Sequence, residues 1–273
     1  EGEEEYDPAI LEANNTVVEV IENEEDFTTD RLVAMDILHQ PERVIIEYNG
    51  MWLVSNFEKM QLPTGWGVEQ QITCVDGSTF QMYMANMKSI FMDMIKNTDM
   101  VIFNRCKKED PLPTYRRGIK VANQRAEVIF EDEEGELGDI FQDEMPFDMN
   151  APVIEILPED YGIWFVDAMD HPENYEGKTV KFKARVMKPR GMGSKFFVPG
   201  RTAMTCCADD TTFLGYVCKS AYAPKLTPGE WVEVTAKVGI EKRNEYQGEE
   251  GIVLDAEHVE QCDPLEDEMV YFN

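Results

Sequence analysis

Cys206 and Cys207 stand side by side, and after a single alanine come Asp209 and Asp210. Adjacent residues on a regular strand point to opposite faces, so both thiols reach one metal ion only where the chain turns. Paired aspartates are turn formers, which makes such a turn plausible here. Two thiolates and a carboxylate are a partial ligand set for zinc, and two thiolates suit copper(I). Cys218, at the end of the next apolar run, completes a candidate metal set of Cys206, Cys207, Asp209 and Cys218, with His258 and Cys262 as outer candidates. The same thiols read equally well as small buried hydrophobes. A disulfide from Cys206 or Cys207 to Cys218 is a third alternative in an oxidising compartment.

Arg201, between Gly200 and the run that leads to the cysteines, is a candidate ligand-binding residue for an anion or for the Asp209 carboxylate. Lys195 closes the basic, glycine-rich stretch 188–195, at the place where small barrels of the oligonucleotide/oligosaccharide-binding (OB) type often hold oligomers. That stretch lacks the lysine and hydroxyl spacing of a phosphate loop and reads also as a plain hairpin. Trp164 and Trp231 fall at apolar positions of their elements and are expected in the core. No Ser-His-Asp set, paired catalytic carboxylates or dinucleotide fingerprint is present, and the three histidines are scattered. No catalytic residue is assigned, and the expectation is a non-enzymatic protein.

The elements that must position these groups are short strands. Residues 179–186 alternate, with Val180, Phe182, Ala184 and Val186 on one face and Lys181, Lys183 and Arg185 on the other, as in a half-buried strand. A helix is expected over 160–169, ended by His171-Pro172. Further strands are expected at 196–198, 202–205, 212–218, 231–238 and 251–259, which together suggest a small barrel. The chain also resembles itself. Glu25-Asp26-Phe27 and Val33-Ala34-Met35-Asp36 find partners in Glu159-Asp160-Tyr161 and Asp167-Ala168-Met169-Asp170, and 72–83 resembles 204–216. The fold expected is therefore mainly β with short helices, as two tandem OB-type barrels related by internal duplication. The expected division is an acidic tail over 1–15, a first barrel over 16–130, an acidic linker over 131–152 and a second barrel over 153–273. Helical spacing at Ile90, Phe91, Met94 and Ile95 is read as a helix between strands of the first barrel, and Met145 and Phe147 of the linker are candidates to dock on a barrel.

Fifty-four acidic residues against 25 basic ones give a formal net charge of −29. Such a surface repels phosphate backbones and anionic lipid, so nucleic acid is not an expected partner. Forty-three per cent hydrophobic residues are enough for packed cores. No apolar run reaches the 18 residues or so that a membrane span needs. The chain opens on Glu1, which points to a start segment removed by processing, and any membrane contact is expected only through a segment absent from this chain.

One set of residues carries a family resemblance: Asn174-Tyr175-Glu176-Gly177-Lys178, Phe196-Phe197-Val198, Arg201, Met204-Thr205-Cys206-Cys207-Ala208-Asp209, Gly229-Glu230-Trp231-Val232-Glu233-Val234-Thr235, Pro264 and Val270-Tyr271. Over residues 153–272 the chain resembles the YcgQ-like family of bacterial proteins described as permease subunits. The resemblance implies an extracytoplasmic domain, anchored in the membrane in full-length relatives, with a permease as partner and a link to metal supply. Two membrane helices of that family have no counterpart here. The function expected is an accessory protein with zinc as its candidate metal. The alternatives are a carbohydrate- or other ligand-binding barrel pair, or a structural protein–protein adaptor.

Overall fold

The computed structural model describes residues 6–138, 145–204 and 211–270. Its N-terminal part begins with three helices, α1 (Pro8–Ala13), α2 (Thr29–His39) and α3 (Val54–Glu58), joined by extended segments. There follow β1 (Ile72–Asp76), α4 (Phe80–Ile95), β2 (Met100–Asn104), α5 (Leu112–Ala122), β3 (Glu127–Asp132) and the short β4 (Gly135–Glu136). β1, β2 and β3 pair in parallel, Ile72 opposite Met100 and Val101 opposite Val128, while β4 turns back antiparallel on β3. Parallel neighbours require a crossover, and α4 and α5 supply it. The central strand reads Met-Val-Ile-Phe, a continuous apolar run suited to a sheet buried on both faces, and Val101 and Phe103 are fully buried. Phe103 stacks on Phe130 at 4.8 Å between ring centroids and meets the edge of Phe80 at 4.9 Å.

The C-terminal part is a closed barrel. Its elements are β5 (Ile154–Glu155), α6 (Tyr161–Asp170), β6 (Thr179–Met187), β7 (Phe196–Met204), β8 (Thr211–Gly215), β9 (Val217–Lys219), β10 (Trp231–Lys242), β11 (Glu250–Gln261) and β12 (Met269–Val270). Around the ring the order is β6-β7-β9-β11-β10 and back to β6, all antiparallel except the parallel pair β9–β11. β8 adds to β7, and β5 and β12 lie parallel to β6 and β7. Val180, Phe182, Ala184 and Val186 face the core, as their alternation requires. α6 packs on that core: Trp164 lies 4.8 Å from Phe182 between ring centroids, and the Tyr161 hydroxyl donates to the Leu214 carbonyl at 3.0 Å. Gly200 and Gly215 face each other where β7 meets β8. A Cβ on Gly200 would strike the Leu214 carbonyl and the Phe213 ring, so the close approach of these strands depends on glycine.

The expected first barrel is corrected here. Residues 72–136 form a mainly parallel β/α sheet, the described residues before them form three short helices, and among the described residues neither a second barrel nor an internal duplication is seen. The two halves do share a local order, a single 3₁₀ turn followed by α2 in one and by α6 in the other. They part at the aligned phenylalanines, since Phe80 opens α4 whereas Phe213 sits in β8. Short apolar runs next to turn residues look alike whether a parallel or an antiparallel strand follows, which is how the likeness misled. Two finer expectations also change: residues 196–204 form one strand, β7, instead of two, and the run 212–218 is broken at Tyr216 into β8 and β9.

α5 and α6 join the two parts. Asp170 on α6, its side chain only 6% exposed, forms ion pairs with Arg116 and, at 3.6 Å, with Lys120 of α5. Burial pushes the Lys120 ammonium below its usual range, with Asp170 opposing that shift. Beside them the Tyr175 hydroxyl donates to Asp167 at 2.6 Å. Val121 of α5 and Phe147 of the connecting segment are buried in the barrel's own core, with Met145 and Met149 packed against it. Replacing Asp170 by Ala leaves two cations at this seam without their counter-charge and is expected to cost about 3 kcal/mol. Urea unfolding followed by circular dichroism checks it; a loss under about 0.5 kcal/mol would show that apolar packing alone holds the seam.

Candidate functional site

Cys206, Cys207 and Asp209 lie outside the described residues. They fall between Met204 and Thr211, which face each other on β7 and β8, so a connection of six residues starts and ends at one point of the barrel rim. Cys218 is not brought there. It pairs with Phe197 at the opposite end of β7, and at about 3.3 Å per residue this puts it on the order of 20 Å from Met204. Cys218 is also fully buried, its thiol pushed far above its ordinary range by burial first and by Asp255 second. A thiol so placed packs as a core residue. His258 is exposed on β11 beside Glu260, and Cys262 is partly buried with its amide bonded to Trp231. Among the described residues no group of three or more His, Cys, Asp or Glu is placed to hold a metal ion.

Arg201 is not available to a ligand. It is 2% exposed, and its guanidinium donates to the carbonyls of Pro158, Asp267 and Met269, the last two at 3.0 Å. The group also lies 5.6 Å from the centre of the Tyr161 ring, and burial lowers its pKa from the ordinary value. These contacts tie β7 to the entry of α6 and to the C-terminal segment that adds β12 to the sheet. Lys195 stays exposed in the β6–β7 connection, and its carbonyl accepts from the Ser220 amide at 2.9 Å.

Sequence reasoning overlooked a polar cluster at the carboxyl ends of the parallel strands, the usual ligand edge of an open α/β sheet. Asp76 accepts from the Ser78 amide at 2.9 Å, from its hydroxyl at 2.6 Å and from Arg105 at 2.7 Å. The Ser78 hydrogen bond does most to hold this carboxyl below its usual range, and Arg105 adds to it. Gly77 packs so tightly on Cys106 that a Cβ would come 2.7 Å from its sulfur, and burial pushes that thiol up to about 11. The signal was Asp-Gly-Ser-Thr between a strand and a helix, which had been used only as the counterpart of the run through Cys206 and Cys207. Its members satisfy one another, as in a closed turn.

The fold also leaves a set of large apolar side chains uncovered. Most of the exposed large hydrophobic residues fall before residue 70. Ile45 is 89% exposed, Val20 72% and Ile37 71%, with Leu38 next to it at the end of α2. Glu19 lies among them, bonded to His39 at 2.9 Å and to Arg31 at 3.5 Å. Among the described residues β1 pairs on one side only, leaving the sheet an open edge. Scattered exposed aliphatics are ordinary, but here they are concentrated on one segment of the chain.

The model of one family, described as DUF1980 C-terminal domain, matches residues 136–272, which include the barrel and the Cys-Cys-Ala-Asp run. No curated protein matches the chain. Among solved structures, a mitochondrial single-stranded DNA-binding protein of S. cerevisiae is 10% identical, with 32% of this chain and 97% of that one covered and a TM-score of 0.21. An aspartyl-tRNA synthetase of Entamoeba histolytica is 15% identical over 43% of this chain and 27% of its own, with a TM-score of 0.23. Likeness at these scores carries no weight.

The Arg201 clamp generates a prediction. Arg201→Met keeps the stem but loses three charge-assisted hydrogen bonds, and it is expected to cost about 3 kcal/mol and to expose residues 267–270 to carboxypeptidase. Unchanged stability and unchanged trimming would return Arg201 to the ligand-binding candidates.

Proposed function

We propose, for a chain that belongs to the DUF1980 C-terminal domain family, a non-enzymatic accessory role. The barrel and the β/α layer act as one acidic body that docks on a protein partner through the apolar segment before residue 70. The observation that carries this reading is the concentration of exposed aliphatics there, Ile45 and Ile37 foremost, on a chain of net charge −29. A matching face would be apolar at its centre and basic around it. The barrel is read as OB type on its ring order, in which the first, second, third, fifth and fourth strands follow one another and the third and fifth are parallel. The YcgQ-like resemblance makes a membrane permease the first partner to test and the outer side of the membrane the first compartment.

A photo-crosslinking residue at Ile45 in cells, compared with one at Lys237 on the barrel, tests the docking reading. Adducts with a membrane transport protein from position 45 alone are expected. Equal adducts from both positions, or none but self-adducts, would sink it.

A second reading is favoured by the short return from Met204 to Thr211, which keeps Cys206, Cys207 and Asp209 within one connection. In it, these three hold a soft ion such as zinc without Cys218. Reduced protein then takes up about one zinc per chain, Cys206→Ser with Cys207→Ser abolishes uptake, and Cys218→Ala leaves it unchanged. Equal uptake in the double serine variant would remove the cysteines from the site, and loss in Cys218→Ala would restore Cys218 to it. Elemental analysis of the purified proteins reads all three outcomes.

A further inference from the structure

Phe27, Tyr48 and Phe57 form a ring triangle with centroid separations of 5.7, 5.8 and 5.9 Å, and Trp52 stands edge-on to Tyr48 at 5.6 Å. They come from three separate places: the end of the 3₁₀ turn Glu24–Asp26, the loop before α3, and α3 itself. A cavity of about 300 Å³ is lined by Phe27, Tyr48 and Phe57, with Glu24, Asn56, Lys59 and Met60 also among its walls. That volume is at the small end of the range for ligand sites.

The polar groups around it are fixed. Asn56 donates its side-chain amide to Glu24 at 2.8 Å, the Ser55 amide donates to Asp93 at 3.0 Å, and the Tyr48 hydroxyl donates to the Leu53 carbonyl at 3.2 Å. Burial raises the Tyr48 phenol above its usual range, and the negative fields of Glu24 and Asp93 add to that shift. Both carboxylates are therefore felt at the ring.

Aromatic faces carry the negative end of a quadrupole, and they hold weakly hydrated cations best where water is excluded. An anion would meet the ring faces, Glu24, Asp93 and the charge of the whole chain. A neutral apolar ligand would use the rings but gain nothing from Glu24. We infer that the cavity bounded by Phe27, Tyr48 and Phe57 binds an organic cation of the quaternary ammonium kind, with Glu24 as its counter-charge. Lys59 is the one cation among the wall residues, and it opposes the ligand. The chemistry is shared by a free small cation and by a methylated lysine on a protein. The cavity lies in the same segment as the docking surface proposed above, but its ligand chemistry is independent of that reading and is tested without any partner.

The test is calorimetric titration of the full chain with choline, with its neutral isostere 3,3-dimethylbutanol, and with a peptide bearing trimethyllysine. Choline is expected to bind at least tenfold more tightly than the isostere. Tyr48→Ala should lose about tenfold and Tyr48→Phe little, Glu24→Gln should lose about threefold to tenfold, and Lys59→Gln should tighten binding. Where Tyr48→Ala does not fold, Glu24→Gln decides. A peptide that binds more tightly than choline makes the source a protein side chain, and equal binding makes it a free cation; either supports the site. No heat at 20 mM choline, equal binding of the isostere, or Glu24→Gln and a folded Tyr48→Ala that bind like the parent would overturn it.

Discussion

A carboxylate set as deep as Asp170 needs cations beside it, and Arg116 and Lys120 both come from α5. The architecture depends on this seam. Among the described residues the mainly parallel β/α sheet and the closed barrel share no backbone ladder, so their relation rests on side-chain contacts such as these. The buried ions set the orientation, since an ion pair of this depth tolerates little displacement before its desolvation is uncompensated. Val121 and Phe147, sunk in the barrel core, supply apolar area that the ions do not. Tyr175 and Asp167 continue the polar network towards β6, so the seam reaches from α5 to the barrel wall.

The barrel was legible because its strands advertise themselves. The 179–186 alternation and the His171-Pro172 stop each fix a local conformation by short-range rules, and those rules hold in the structure. The first half was not legible because its signals are ambiguous at short range. The run Ile72-Thr73-Cys74-Val75 can be the edge of a barrel or the first strand of a parallel sheet, and only pairing with Met100 and beyond decides. Helical spacing at Ile90, Phe91, Met94 and Ile95 was read correctly, but α4 begins ten residues earlier, at Phe80, and carries a kink at Met87. That early start separates a crossover helix from a barrel strand.

The candidate site shows the same division. A vicinal cysteine pair is visible in any sequence, whereas the fate of Cys218 depended on ladder register with Phe197. Arg201 looked like an anion binder because its neighbours in sequence suggested it, yet its acceptors come from Pro158, Asp267 and Met269. The aromatic triangle has no pattern at all along the chain: Phe27, Tyr48 and Phe57 share no period and meet only through the fold.

Among the described residues the outer edge of β1, Ile72–Asp76, pairs with no other strand, and it offers a second copy of the chain a place to add to the sheet. What keeps copies apart is mutual repulsion, −29 charges on each, felt over about 8 Å at physiological ionic strength and about 3 Å at 1 M. Colloidal behaviour and shelf life should therefore follow salt and acidity more closely than temperature, and solutions concentrated in high salt or mild acid should gel or cloud well before the barrel itself unfolds.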